Sequence, residues 1–340
     1  MAFLKGSIMG FRRSAVLIGA AVAAVMAMVG SSSIAQQAPS LGSARFMVIG
    51  GGFVNTPTSI MIKKGFLAKH GVKGELVTLN TGPAIAAALM GGSSDFADST
   101  PPVTWPLIKQ GQCFRYLTAG QGATADLVAQ PEWKLPNQSK GFPESIKDLK
   151  GARIGVVSLG SATHIWVEML LTQAGLSPKD VTFIGVGINA TAVAAFQQKI
   201  VDVIVAYPPI FNQLKANPGL QMVANWSNGN PPTLTDLIQA GIATKCSYAD
   251  ANPQIVQAVC KAMAEAHAFM MDTKNEAEMG AYTAENMGVN PAEGLALWKQ
   301  YKSSFRNIVF TQRLWEAQGR YMADGYVPKY SDVVVPGCAA

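Results

Sequence analysis

Gly82-Pro83-Ala84-Ile85-Ala86-Ala87-Ala88-Leu89, followed by Asp95 and a short apolar run, has a counterpart in Asn189-Ala190-Thr191-Ala192-Val193-Ala194-Ala195-Phe196, followed by Asp202 and another apolar run. Thirteen positions separate the start of each block from its aspartate. The competing reading is chance similarity between two Ala-rich helices, which share a period whatever their ancestry. Taken as a repeat, the pair puts the same helix-to-strand unit into each half of the chain. Parallel sheets bind ligands beyond the carboxyl ends of their strands, where helix N-termini present free N–H groups, so two such units can face each other across a cleft.

The surrounding sequence alternates strand and helix patterns. Arg45 to Ile49 reads as a strand, Thr58 to His70 as a helix, Lys73 to Asn80 as a strand, Pro83 to Met90 as a helix and Phe96 to Ser99 as a buried strand. A helix over Val103 to Gln110 and a strand over Phe114 to Ala119 follow. After the polar stretch Gln130 to Lys150, strands are expected at Ala152 to Val157, Val181 to Ile184 and Val203 to Ala206, with helices at Ala162 to Ala174 and Thr191 to Gln198. Ile238 to Thr244 leads back to the first set. Helices at Pro253 to Met271, Glu276 to Met287, Ala292 to Tyr301 and Gln312 to Met322 are expected to cover the first lobe.

At 340 residues the chain is long enough for two lobes, and 49% hydrophobic against 14% charged content excludes a disordered chain. Lys5, Arg12 and Arg13, the apolar run Ala15 to Val29 and Ser33-Ile34-Ala35 form a signal-peptide pattern with cleavage expected after Ala35. The apolar run is short of the roughly 20 residues that span a bilayer. Arg12-Arg13 hints at twin-arginine export, but Ser14-Ala15-Val16 continues that pattern poorly and the general secretory route fits better. Removing this leader takes three of the 27 basic residues and none of the 21 acidic ones, leaving 24 against 21, a net +3 without a Lys/Arg track for nucleic acid. An exported, periplasmic monomer is expected.

The four cysteines, Cys113, Cys246, Cys260 and Cys338, can pair in an oxidising compartment in three ways. Cys246 with Cys260 is the pairing suggested by a chain doubling back at Asn252-Pro253. No C-x-x-C spacing and three scattered histidines, His70, His164 and His267, give no metal-site pattern, and no cofactor is expected.

Gly50-Gly51-Gly52-Phe53-Val54-Asn55 follows a strand, but the sixth position is Asn and the next strand ends in Asn80, so the dinucleotide fingerprint fails at both its glycine and its ribose-binding acid. Backbone close to a small ligand is the better reading, against an ordinary strand-end turn. Thr81-Gly82-Pro83 and Gly160-Ser161-Ala162-Thr163 are helix starts, one in each lobe, which capping alone also explains. His164 is read as structural. Among the large aromatics Phe53, Trp105, Tyr207 and Trp226, Tyr207 beside Pro208-Pro209 is the best candidate for the cleft. The candidate ligand-binding set is Gly52, Phe53, Asn55, Thr81, Gly82, Ser99 and Thr100 from one lobe with Ser158, Ser161, Thr163, Asn189 and Tyr207 from the other. No Gly-x-Ser-x-Gly elbow or paired carboxylates suggest an enzyme.

Gly82-Pro83 with Ala87-Ala88-Leu89, Gly92 and Asp95-Phe96-Ala97, then Leu149 to Val156, Gly160-Ser161, Leu170, Gly175-Leu176 and Val201-Asp202, resemble the nitrate, sulfonate and taurine type of ABC-transporter substrate-binding protein. The likeness runs from about Phe46 to Met271. It implies the type II periplasmic-binding-protein fold: two α/β lobes joined by a hinge, a first lobe of residues 44–123 and 242–340, and a second of 124–241, after a leader at 1–35. Lys199 departs from the pattern, which has Gly before the Val-Asp pair. The implied partners are a small-molecule solute and an ABC permease in the inner membrane, with no nucleic acid. The implied mechanism is closure about crossing strands near Gly120 to Leu127 and Leu237 to Thr244. Two alternatives share the fold: an enzyme like those that make the thiamine pyrimidine precursor, whose dense cysteine motif is absent, and a subunit that presents solute to a sensor.

Overall fold

The computed structural model describes residues 39–231, 234–305, 309–322 and 324–338. The leader expected at 1–35 lies outside them. In chain order the first elements are β1 (Gly42–Ile49), α1 (Thr56–Lys63), α2 (Phe66–Lys69), β2 (Val72–Leu79), α3 (Gly82–Met90), β3 (Phe96–Ser99), α4 (Pro101–Lys109) and β4 (Phe114–Gly122). The chain then crosses to β5 (Asp126–Ala129), β6 (Arg153–Val156), α5 (Ala162–Gln173), β7 (Thr182–Gly185), α6 (Ala190–Gln197), β8 (Val203–Ala206), α7 (Pro208–Leu214) and β9 (Gln221–Asn225). It returns through β10 (Ile238–Lys245) to α8 (Cys246–Ala251), α9 (Pro253–Met271), α10 (Glu276–Met287), α11 (Pro291–Tyr301) and α12 (Gln312–Ala317).

Two five-stranded sheets result, with orders β2-β1-β3-β10-β4 and β7-β6-β8-β5-β9. They share one plan: three parallel strands, then an antiparallel strand that has just arrived from the other sheet. The expectation of two α/β lobes of the periplasmic-binding class holds. Both sheets are covered on both faces, so alternate residues of one strand enter different cores. Phe46 packs with Phe96, Met61 and Val259 on one face, whereas Met47 and Ala97 join Trp105 and Trp315 on the other. In the second sheet Ile154 and Val203 face Trp166, while Ile204 faces Phe196 and Ile210.

The two repeat blocks fold as α3–β3 and α6–β8, and their aspartates do the same job. The Asp95 carboxylate accepts from the Arg45 amide at 2.8 Å, and the Asp202 carboxylate accepts from the Arg153 amide at 2.8 Å. The Asp95 and Asp202 amides in turn donate to the Arg45 and Arg153 carbonyls. Each aspartate thus fastens a central parallel strand, β1 or β6, to the loop after its helix. Lys199, in the place where the resemblance leads one to expect Gly, takes a left-handed φ of 55°, the conformation that glycine adopts freely.

Three differences have local causes. Gly65, at φ 75°, splits the helix expected over 58–70 into α1 and α2. The crossing strand expected near Gly120 to Leu127 is divided between the end of β4 and the start of β5, while β9, of five residues, and α7, which opens with Pro208-Pro209 and so reads as loop, lie where no element was expected. The last expected helix stops at Ala317 and continues as a single tight turn, from which Tyr321 packs into the second lobe's core beside Trp166, so the C-terminal part does not cover the first lobe alone.

The cysteine pairing expected from sequence is corrected. The disulfides are Cys113–Cys246 and Cys260–Cys338. The antiparallel register opposes Phe114 to Lys245, which sets the residue before β4 beside the residue after β10. Cys260 instead turns from α9 into the first lobe's core, where the C-terminal Cys338 meets it.

Candidate functional site

The ends of β1, β3, β6 and β8 point toward one cleft, and the loops and helix starts that follow them wall it. One pocket of about 370 Å³, counting its mouth, takes Ile49, Val54, Gly82, Thr100 and Val103 from the first lobe and Val157, Ser161, Ala162, Trp166 and Tyr207 from the second. Gln239 closes it at the hinge. A second pocket of about 350 Å³ shares Ile49, Val54, Gly82, Thr100 and Val103 and runs deeper into the first lobe, past Asp98 and Ser99. No Lys, Arg or His lines either pocket.

Of the residues expected from sequence, Gly82, Thr100, Ser161 and Tyr207 meet in the first pocket, and Ser99 lines the second. Tyr207 bonds to Thr163, whose hydroxyl also meets Ser161 at 3.0 Å, so the second lobe offers a connected row of hydroxyls, and burial raises the Tyr207 pKa. Ser161 also donates to the Ser158 carbonyl at 2.7 Å. Ser99 bonds to Thr104 and Tyr116 beneath the cleft.

The remaining expected residues have other places. Phe53 is buried against Trp298, Tyr301 and Phe305 in the first lobe's core, and its neighbour Val54 faces the pocket. Asn55 and the Gly52 carbonyl both accept from the Asn286 amide, an anchor that ties this loop to α10. Thr81 caps α3 by accepting from the Ala84 amide. The buried Ser158 hydroxyl has no partner among the described residues and stands outside both pocket linings. Asn189 stands at the N-cap position of α6 without a side-chain cap and approaches Gly51 from the other lobe, where a Cβ on Gly51 would lie 2.5 Å from its Nδ2. His164 accepts from the Gly160 amide at 3.0 Å and packs on Phe183, and Trp105 is sealed against Trp315.

Sequence reasoning missed Asp98, Trp166 and Gln239. Asp98 Oδ1 accepts from Thr58 at 2.8 Å, but Oδ2 is buried without a partner among the described residues. Burial pushes its pKa from 3.8 up to about 7, with the Thr58 hydrogen bond opposing the rise. Trp166 Nε1 and Gln239 Nε2 are likewise buried without acceptors, and so is the Thr100 hydroxyl. Gln239 Oε1 accepts from the Thr124 amide and hydroxyl, at 3.0 and 3.3 Å, so the residue that closes the pocket also clamps the two crossing segments together. An acidic residue inside a buried strand was one available signal. Among the described residues no group of three His, Cys, Asp or Glu side chains could hold a metal ion, and no helix is long and apolar enough to cross a membrane.

Two lobes of matching topology, crossed twice by the chain and meeting at a pocket, define the periplasmic-binding-protein class. Among solved structures of that fold, the chain superposes on the alkanesulfonate-binding protein SsuA of Xanthomonas axonopodis pv. citri with a TM-score of 0.66, 21% identity and coverage of 88% of this chain and 98% of that one. It also superposes on the periplasmic nitrate-binding protein NrtA of Synechocystis PCC 6803 with a TM-score of 0.61, 19% identity and coverage of 77% and 71%. A Brucella abortus (strain 2308) protein named as a candidate binding protein is 29% identical over 236 residues, 69% of this chain and 68% of that one. The chain belongs to the NMT1-like family, whose model matches residues 52–284.

Proposed function

We propose that this protein is a periplasmic solute-binding protein of an ABC importer, which captures a small solute in the interlobe cleft by hinge closure and hands it to an inner-membrane permease. The first lobe is 44–123 with 242–340 and the second 124–241. The observation that carries the reading is the pocket walled by both lobes, with unpaired polar atoms in an apolar lining. That composition is the usual one for small-molecule sites. The sulfonate and nitrate proteins of the same fold support it.

A thermal-shift screen tests the reading. A cognate solute at 100 times its Kd stabilises the protein by about 2.7 kcal/mol, roughly 4 °C for a chain of this size. Sulfonates, nitrate, carboxylates, aromatic amides and acids, and pyrimidines form the panel. Ser161→Ala and Tyr207→Ala are each expected to weaken the responding solute about tenfold, equivalent to about 1.4 kcal/mol. Normal binding by both folded variants would place the solute elsewhere. The exported chain is expected to begin at Gln36, which N-terminal sequencing of periplasmic protein reads directly.

A further inference from the structure

We propose, resting on the hinge-closure reading above, that a gap behind the hinge controls the cleft in front of it: bulk that props the rear gap open holds the lobes closed on a solute. The two openings lie on opposite sides of the crossing connections. In the first sheet β10 separates β3, whose end walls the cleft, from the edge strand β4, and in the second β5 separates β8 from the edge strand β9. The rear gap begins where those edge strands end, at Gly122 and Trp226, and has a volume of about 980 Å³ counting its mouth. Among the described residues it shares no lining with either cleft pocket.

Its walls belong to different lobes. Trp226, Leu234 and Leu237 are packed with Trp166 in the second lobe's core, whereas Tyr301, at the end of α11, is packed with Phe53 in the first lobe's core. Tyr301 bonds to Ser227 across the gap, beside Asp126, whose carboxylate accepts from the Ser227 hydroxyl at 3.0 Å. Asp126 opens β5 at the crossing, so this contact sits near the turning axis, where rotation moves atoms least. At the mouth the exposed Gln300 and Ser303 of the first lobe stand with the exposed Thr235 of the second. The front contact gives the direction of the coupling. Gly51 follows β1, and Asn189 follows β7, which is at the opposite edge of its sheet from β9, so the two meet on the side of the cleft away from the crossings. A hinge rotation that parts them brings the walls of the rear gap together, because the axis runs between the two openings. A large side chain at the rear mouth therefore obstructs the open state and shifts the population to the closed one, with the cleft lining unchanged.

Small-angle scattering of the ligand-free protein tests this on a Gly51→Ala background, in which the front contact is disfavoured. Gly51→Ala is expected to have a larger radius of gyration than the wild type, and adding Gln300→Trp is expected to reverse at least half of that expansion. Ala277→Trp, which adds the same side chain at an exposed position of α10 outside both openings, is expected to reverse none of it. An unchanged or larger radius on adding Gln300→Trp, an equal reversal by Ala277→Trp, or no expansion in Gly51→Ala itself would each overturn the proposal. Ser303→Trp enters the mouth from the next turn and takes the place of Gln300→Trp should that variant not fold. Because no solute is present, any of these failures leaves solute binding to be decided separately by the thermal-shift screen.

Discussion

Asp98 costs stability in the empty protein, and the sign of its pH dependence follows from its position. A carboxyl whose folded pKa is raised holds a proton that the unfolded chain has already released. Its contribution is therefore fully present below its ordinary 3.8 and is lost as pH rises through about 7. Asp126, raised to about 6 by burial against its Ser227 hydrogen bonds, runs in the same direction. Tyr282 is pushed up to about 12, chiefly by burial, and stays neutral throughout that window. Asp98→Asn separates the two aspartates, because Asp126 is common to both proteins and cancels in the difference. The ligand-free variant is expected to gain on the wild type between pH 5 and pH 8, by on the order of a few kcal/mol. Melting curves at the two pH values decide it, and a difference independent of pH would show that Asp98 is not held in an apolar setting.

At the scale of elements, what could be read in the sequence depended on which force set each structure. β3, β8 and the repeat helices follow from apolar runs and Ala-rich periodicity, and the twin aspartates follow from their equal spacing. β9 is a short antiparallel strand whose existence depends on β5, far away in sequence, so no local pattern announces it. The cysteines teach the same lesson. Proximity along the chain favoured Cys246 with Cys260, but the register of β10 on β4 spans 133 residues to bring Cys113 to Cys246. In the site, Tyr207 and Ser161 were legible as ends of strands and starts of helices, whereas Phe53 and Val54 are neighbours on one turn and only packing decides which faces the cleft. Cys260–Cys338 closes a loop of 78 residues and fastens the C-terminal end to α9. Replacing both cysteines by Ala is expected to cost roughly 2–4 kcal/mol, read by urea unfolding without reductant. A non-reducing peptide map that linked Cys246 to Cys260 would refute the topology on which this rests.

Across the whole molecule, the two lobes meet at the cleft rim and at the hinge. Gly51 faces Asn189, Gly160 lies 4.0 Å from Pro83 when given a Cβ, and Gln239 grips Thr124 where the chain crosses. If solute capture works by closure, the contact between Gly51 and Asn189 belongs to the closed state, and a side chain placed there biases the equilibrium toward the open one without touching the pocket. Gly51→Ala would bring its Cβ to 2.5 Å from Asn189 Nδ2 at a φ of +66°, whereas Gly52→Ala, in the same loop at a φ of +107°, meets nothing within 4 Å. Both substitutions strain the backbone, so the second serves as the control for the first. Gly51→Ala is expected to weaken whichever solute the screen identifies at least fivefold more than Gly52→Ala does. Small-angle scattering is expected to show the solute compacting the wild type and Gly52→Ala, but compacting Gly51→Ala less. Equal losses in the two variants, or a radius of gyration that solute leaves unchanged in the wild type, would mean that the lobes do not close on their ligand.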